Sequence, residues 1–150
     1  MGRSPSSRAG WEQIVDYTRT VRDRQHVWVS GTDVPAPERK VPARPAYEQT
    51  VDALRRIDRA LGASGASRQD VISTRFFVTR ISDWKEILRA HGEFFGPAPP
   101  AATMVEVPQL ERPGLLVEVE AEAYVAPAPA PAPSPPGRRS ARGRSSRRRK

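Results

Sequence analysis

Val117, Val119, Ala121, Ala123 and Val125 alternate with Glu118, Glu120, Glu122 and Tyr124. A strict period of two predicts a strand over residues 115–125, with one apolar face and one acidic face. A second strand is predicted over 71–79: Ile72, Thr74, Phe76 and Val78 share one face, and Ser73, Arg75, Phe77 and Thr79 the other. Residues 103–107 form a short third strand. Nearer the N-terminus, residues 14–21 and 26–30 read as two strands joined by the polar turn 22–25, and Gly31 ends the second. Four prolines make residues 32–45 a loop. The period then changes. Tyr47, Val51, Leu54, Ile57 and Leu61 recur at helical spacing, with Asp52, Arg55, Arg56 and Arg59 opposite. This predicts a helix over 47–61, stopped by Gly62. A short capped turn occupies 67–70. Ser82 or Asp83 caps a second helix ending near Phe95, with Trp84, Ile87, Leu88, His91 and Phe95 as its inner stripe. Gly96 and three following prolines break it.

The order β-β-α-β-α-β-β is an α+β pattern, a mixed sheet with both helices packed on one face. The other face carries no helix and is not wholly polar. Phe77, Trp28 or Val27, and Val105 or Met104 lie on it, according to parity. Such a face makes the domain a candidate for self-association.

Composition divides the chain. Residues 126–150 contain no leucine, isoleucine, valine or aromatic residue. The net charge of +8 is local: residues 138–150 hold eight basic residues and no acidic ones, leaving 17 basic against 17 acidic upstream. The domain is neutral and has no general electrostatic claim on nucleic acid. The expected organisation is a disordered stretch over 1–10, a domain over 11–125, an Ala-Pro linker over 126–136 and an arginine-rich tail over 137–150. The linker favours extended polyproline geometry. The tail reads either as a solubilising end or as a nonspecific polyanion binder. The absence of cysteine excludes thiolate metal sites and fits a reducing cytoplasm. The first ten residues have no apolar segment, so no secretory leader is expected, and no apolar run suggests a membrane span. His26 and His91 have no metal-ligand spacing, so neither a metal nor a cofactor is expected.

VWVSGT at 27–32, QTVDALRRIDRAL at 49–61, DVISTRFFVTRISDW at 70–84, PAATMVEV at 100–107 and LLVEVEAEAYV at 115–125 follow in order. Together they resemble the Rid family (YjgF, L-PSP endoribonuclease-like). The resemblance covers residues 11–125. It implies a chorismate-mutase-like α+β fold and a homotrimer with ligand clefts between subunits. It also implies hydrolytic deamination of reactive enamine or imine metabolites. The family's carboxylate-binding arginine, in a Pro-Ala-Arg-Ser/Thr motif, is here Ala102, followed by Thr103. Alanine has neither charge nor donor, whereas a guanidinium gives two parallel hydrogen bonds. The resemblance further implies that Glu118 orients the attacking water and that Tyr17, Ser30 and Thr103 contact ligand. The family's second-helix asparagine is Leu88.

Each candidate has two readings. Glu118 is a general base, or one solvated member of a row of three glutamates. Arg75 replaces the lost anchor, or pairs with that acidic row. His91 donates a proton, or packs in the core. Tyr17 binds ligand, or packs at an interface. Ser30 has no histidine or acid at triad-like spacing, which argues against a nucleophile. The chain therefore reads as an enamine/imine deaminase with a non-standard cleft or, alternatively, as a non-catalytic ligand-binding or interaction trimer. The neutral domain and the lack of a histidine pair argue against ribonuclease chemistry.

Overall fold

The computed structural model describes residues 2–3, 18–35, 41 and 43–127. Their elements are β1 (Gly2–Arg3), β2 (Thr20–Asp23), β3 (His26–Thr32), α1 (Ala46–Ala63), β4 (Val71–Val78), α2 (Trp84–Phe95), β5 (Ala101–Glu106) and β6 (Val117–Tyr124). They form one sheet in the order β1-β2-β3-β6-β4-β5. Only the β4–β5 pair is parallel, and α2 supplies its crossover. The sheet is thus mixed, with two helices, as the periodicity required.

β6 sits between β3 and β4, and its alternation holds residue by residue. Val117, Val119, Ala121 and Ala123 are buried, while Glu118, Glu120 and Glu122 are half-buried on the other face. The helices cover the apolar side. Leu54, Ile57 and Leu61 of α1, Ile87 of α2 and Phe76 of β4 are fully buried there. Burying each such side chain contributes about 1.5–3 kcal/mol. A smaller cluster, Val34, Val41 and Leu115, closes the loop end. There Gly114 adopts φ 92°, and a Cβ on it would strike the Val41 carbonyl. Buried Gln49 ties α1 to this end. Its Nε2 donates to the Gly114 and Arg44 carbonyls, and its Oε1 accepts from the Leu116 N–H at 3.0 Å.

Several sequence expectations change in detail. Ile72 does not share a face with Phe76, because a register shift between Val71 and Ser73 makes it the extra residue of a β-bulge, 47% exposed. Val71 takes its place inside. The buried stripe of α2 is Ile87, Ala90 and His91, whereas Trp84 and Leu88 are exposed. The helix is rotated because His91 packs against Phe76 and Phe95 and meets the Thr74 hydroxyl at 3.1 Å. Burial lowers its pKa, and its place is the core, not a ligand site. The stripe of α1 centres on Gln49, Ala53 and Leu54, leaving Tyr47 and Val51 half-buried. Gly62 lies inside α1; the chain turns at Gly65, with φ 71°. The first hairpin turns at Arg24–Gln25 with Arg24 at φ 54°, so β2 extends to Asp23. Residues 14–17 of the expected strand lie outside the described residues. Within the stretch 1–10, expected to lack structure, Gly2–Arg3 pair with β2. β5 runs over Ala101–Glu106, two residues earlier than expected at its start. Among the described residues no helix is long and apolar enough to cross a membrane. Residues 128–150, the linker beyond Pro127 and the arginine-rich tail, lie outside the described residues.

Candidate functional site

The helix-free face is where the candidate side chains meet. Strand pairing sets Arg75 opposite Glu120, Phe77 opposite Glu118 and Ser73 opposite Glu122. On the far side of β4, Thr103 is the register partner of Arg75 and Val105 that of Phe77. On the near side Trp28 pairs with Glu122. Parity thus places Trp28 and Val105 on this face, rather than Val27 and Met104. A concavity of about 410 Å³ lies over it, lined by Ser30, Trp28, Ser73, Arg75, Glu120 and Glu122 among others.

Arg75 reaches across the sheet and donates to Glu120 Oε2 at 2.8 Å. This is the ion pair with the acidic row, made at the rim of the concavity, where such pairs contribute about 0–1 kcal/mol. Its weakness leaves the guanidinium exchangeable. Thr103 is exposed beside it. Ala102 is exposed on the edge strand β5. At the hairpin end His26 stacks on Trp28, meets the edge of Tyr124, and lies 3.7 Å from Glu122.

Glu118 sits one pleat further along β6, where β3 is irregular. Val29 pairs with Ala121 and Thr32 with Val119, so Ser30 and Gly31 together face Glu120. This bulge presents Gly31 to Glu118, and a Cβ on Gly31 would overlap Glu118 Oε1. The carboxyl therefore occupies space that only glycine leaves open. Burial pushes its pKa above the ordinary 4.5, and the like charges of Asp33, Glu111 and Glu120 push the same way; Arg19 opposes them. Asp33 is itself held by two arginines: Arg56 donates to its Oδ1 at 2.8 Å and Arg112 to its Oδ2 at 2.6 Å. A half-buried carboxyl with a raised pKa is a stronger base than an ordinary carboxylate and can exchange a proton with water or a nitrogen. Among the described residues no three His, Asp or Glu side chains converge as a metal site.

The structure brings together Ser30, Arg75, Thr103 and Glu118 on one sheet face. Tyr17 lies outside the described residues, one position before Thr18, which lines the concavity. Sequence reasoning missed Arg19, Gly31 and Asp33. The sequence reading ended this strand at Gly31, whereas β3 runs through it to Thr32; the glycine is internal and marks a bulge and a close approach.

A one-layer sheet with two helices on one face and a perturbed carboxyl on the other defines an open-faced α+β domain. The chain belongs to the endoribonuclease L-PSP family, the Rid or YjgF family, whose model matches residues 8–125. A Mycobacterium tuberculosis structure of the YjgF/YER057c/UK114 family is 46% identical, with a TM-score of 0.72, over 80% of this chain and 96% of that one. The Escherichia coli protein TdcF, solved with bound serine, is 25% identical with a TM-score of 0.66, over 73% of this chain and 88% of that one. A RutC family protein of Saccharolobus solfataricus is 28% identical over 71% of this chain and 84% of its own length.

Proposed function

We propose that the chain is a small-molecule hydrolase of the Rid type, deaminating reactive enamine or imine metabolites in clefts between the subunits of a homotrimer. The observation that carries this reading is Glu118: a carboxyl seated against Gly31, half-buried, with its pKa raised by burial and by neighbouring carboxylates. Serine bound to the Escherichia coli relative supports a small amino-acid-like ligand. The exposure of Trp28 (42%), Val105 (44%) and Tyr124 (41%) on the helix-free face supports burial of that face between subunits. The lack of cysteine fits a cytoplasmic setting. Residues 137–150 would bind polyanions by charge alone.

In the proposed reaction the enamine tautomerises to the imine. Glu118 takes a proton from water as its oxygen bonds to the imine carbon. That proton passes to nitrogen to give a carbinolamine; the hydroxyl proton then also moves to nitrogen as the carbon–oxygen double bond forms and the carbon–nitrogen bond breaks, and ammonia leaves a keto acid. Ser30 and Thr103, with Tyr17, would contact the ligand. Arg75 would hold a substrate carboxylate by exchanging it for Glu120, at the small cost of an exposed pair.

Ala102 favours a second reading. Exposed and uncharged on β5, it provides no anchor where the family carries arginine, which suits a non-catalytic ligand-binding or interaction trimer. Keto-acid release from 2-aminoacrylate generated in situ separates the two. The hydrolase reading expects turnover that Glu118→Gln abolishes; release no faster with the wild type than without protein supports the binding reading, and turnover retained in Glu118→Gln removes Glu118 from the reaction.

A further inference from the structure

Glu118 depends on the shape of the Ser30–Gly31 bulge, and one residue grips that bulge from β2's approach. Arg19 uses both its backbone and its side chain. Its carbonyl accepts the Ser30 N–H at 3.1 Å and the Ser30 hydroxyl at 3.2 Å. Its guanidinium donates to the Gly31 carbonyl at 2.8 Å and to Thr32 Oγ1 at 3.3 Å. The three residues of the bulge are thus all held by Arg19. The middle one is the glycine whose missing Cβ makes room for Glu118 Oε1.

The charges around Glu118 make this contact more than a brace. Asp33 approaches from the loop after β3, Glu111 from the loop before β6, and Glu120 from β6 itself; all three are acidic and disfavour an ionised Glu118. Arg19 is the cation that opposes them. Arg56 and Arg112 each pair with Asp33.

We propose that Arg19 is a positioning residue for Glu118, clamping the Ser30–Thr32 bulge that seats its carboxylate and setting its cation on the glycine against which that carboxylate lies. The proposal rests on Glu118 being the group that handles water. A purely structural clamp needs only hydrogen-bond donors, whereas a charge partner needs the cation, and substitutions separate the two roles. Arg19→Gln keeps an N–H donor and removes the charge. Arg19→Lys keeps the charge and loses the fork.

The test uses the full chain labelled with carbon-13 at the glutamate carboxyl, with Glu118 assigned by its absence from Glu118→Gln. Arg19→Gln is expected to raise the Glu118 titration midpoint and to move the acid limb of keto-acid release upward with it. Arg19→Lys is expected to keep both close to wild type. Arg19→Met, matched in length and apolar, replaces Arg19→Gln if that variant does not fold. An unchanged midpoint in a folded, uncharged variant overturns the proposal. Undiminished turnover in Glu118→Gln instead overturns the role of Glu118 in handling water, while a raised midpoint in Arg19→Gln still supports the pairing, so the two failures are read separately.

Discussion

Gly31→Ala is the smallest change that tests the seat of the candidate base. The new Cβ would overlap Glu118 Oε1 and crowd its Cδ and Cγ. Those atoms are the far end of a flexible side chain, so the carboxylate swings out toward solvent and the backbone stays. Two consequences follow. The folded state changes little: alanine restricts the unfolded chain by about 0.4–1 kcal/mol, which offsets much of the crowding, and Tm moves by no more than about 4 °C. Function changes far more. A displacement of about 1 Å at a reacting group costs about 10²-fold, or about 2.7 kcal/mol at the transition state. Glu118 also sheds its burial, so its midpoint falls toward 4.5, opposite in sign to the change expected for Arg19→Gln. The assays are keto-acid release, thermal unfolding and carboxyl titration on the same protein. Unchanged turnover and an unchanged midpoint would refute the reasoning. So would a collapse in Tm, since that would mean the backbone, not the carboxylate, had yielded.

Gln49→Ala removes a fully buried side chain and leaves its part-buried backbone partners at Gly114, Arg44 and Leu116 unpaired; urea unfolding should show a loss of about 2–4 kcal/mol, and a loss below about 1 kcal/mol would contradict this. Removing residues 128–150 takes away eight basic residues; unfolding should be unaltered, and salt-sensitive retention on a polyanion column should vanish. Ala102→Arg restores a bidentate carboxylate partner, worth roughly 2–5 kcal/mol when buried; keto-acid release should rise by about one to four decades, and no gain would argue that Leu88 or the cleft shape is limiting.

The strands and helices were legible because each has one buried side and a clear period. β6 is the cleanest case: every second residue is apolar, and each of those is buried from Val117 to Ala123. What the pattern hid was set by contacts distant in sequence. Ile72 keeps the parity of Phe76 on paper, but the bulge after Val71 turns it outward. Trp84 and Leu88 fit a helical stripe as well as Ala90 does; His91, fixed by Thr74 and Phe76, decides which side faces in. The candidate site divides the same way. Glu118 and Ser30 were readable from their motifs. Arg19 was not, because its acceptors lie 12 and 13 positions away across a bulge that alternation does not reveal.

The central claim, that a poised Glu118 carboxylate handles water, is tested most directly by comparing two pH curves on the wild-type chain. One is kcat/KM for keto-acid release; the other is the carbon-13 titration of Glu118. Its folded pKa is raised, so the ionised base is lost as pH falls through a midpoint above 4.5. The account predicts an acid limb of kcat/KM at that same raised midpoint, and the limb's disappearance with the activity in Glu118→Gln. A limb that ignores the Glu118 midpoint, or that survives in Glu118→Gln, would contradict it.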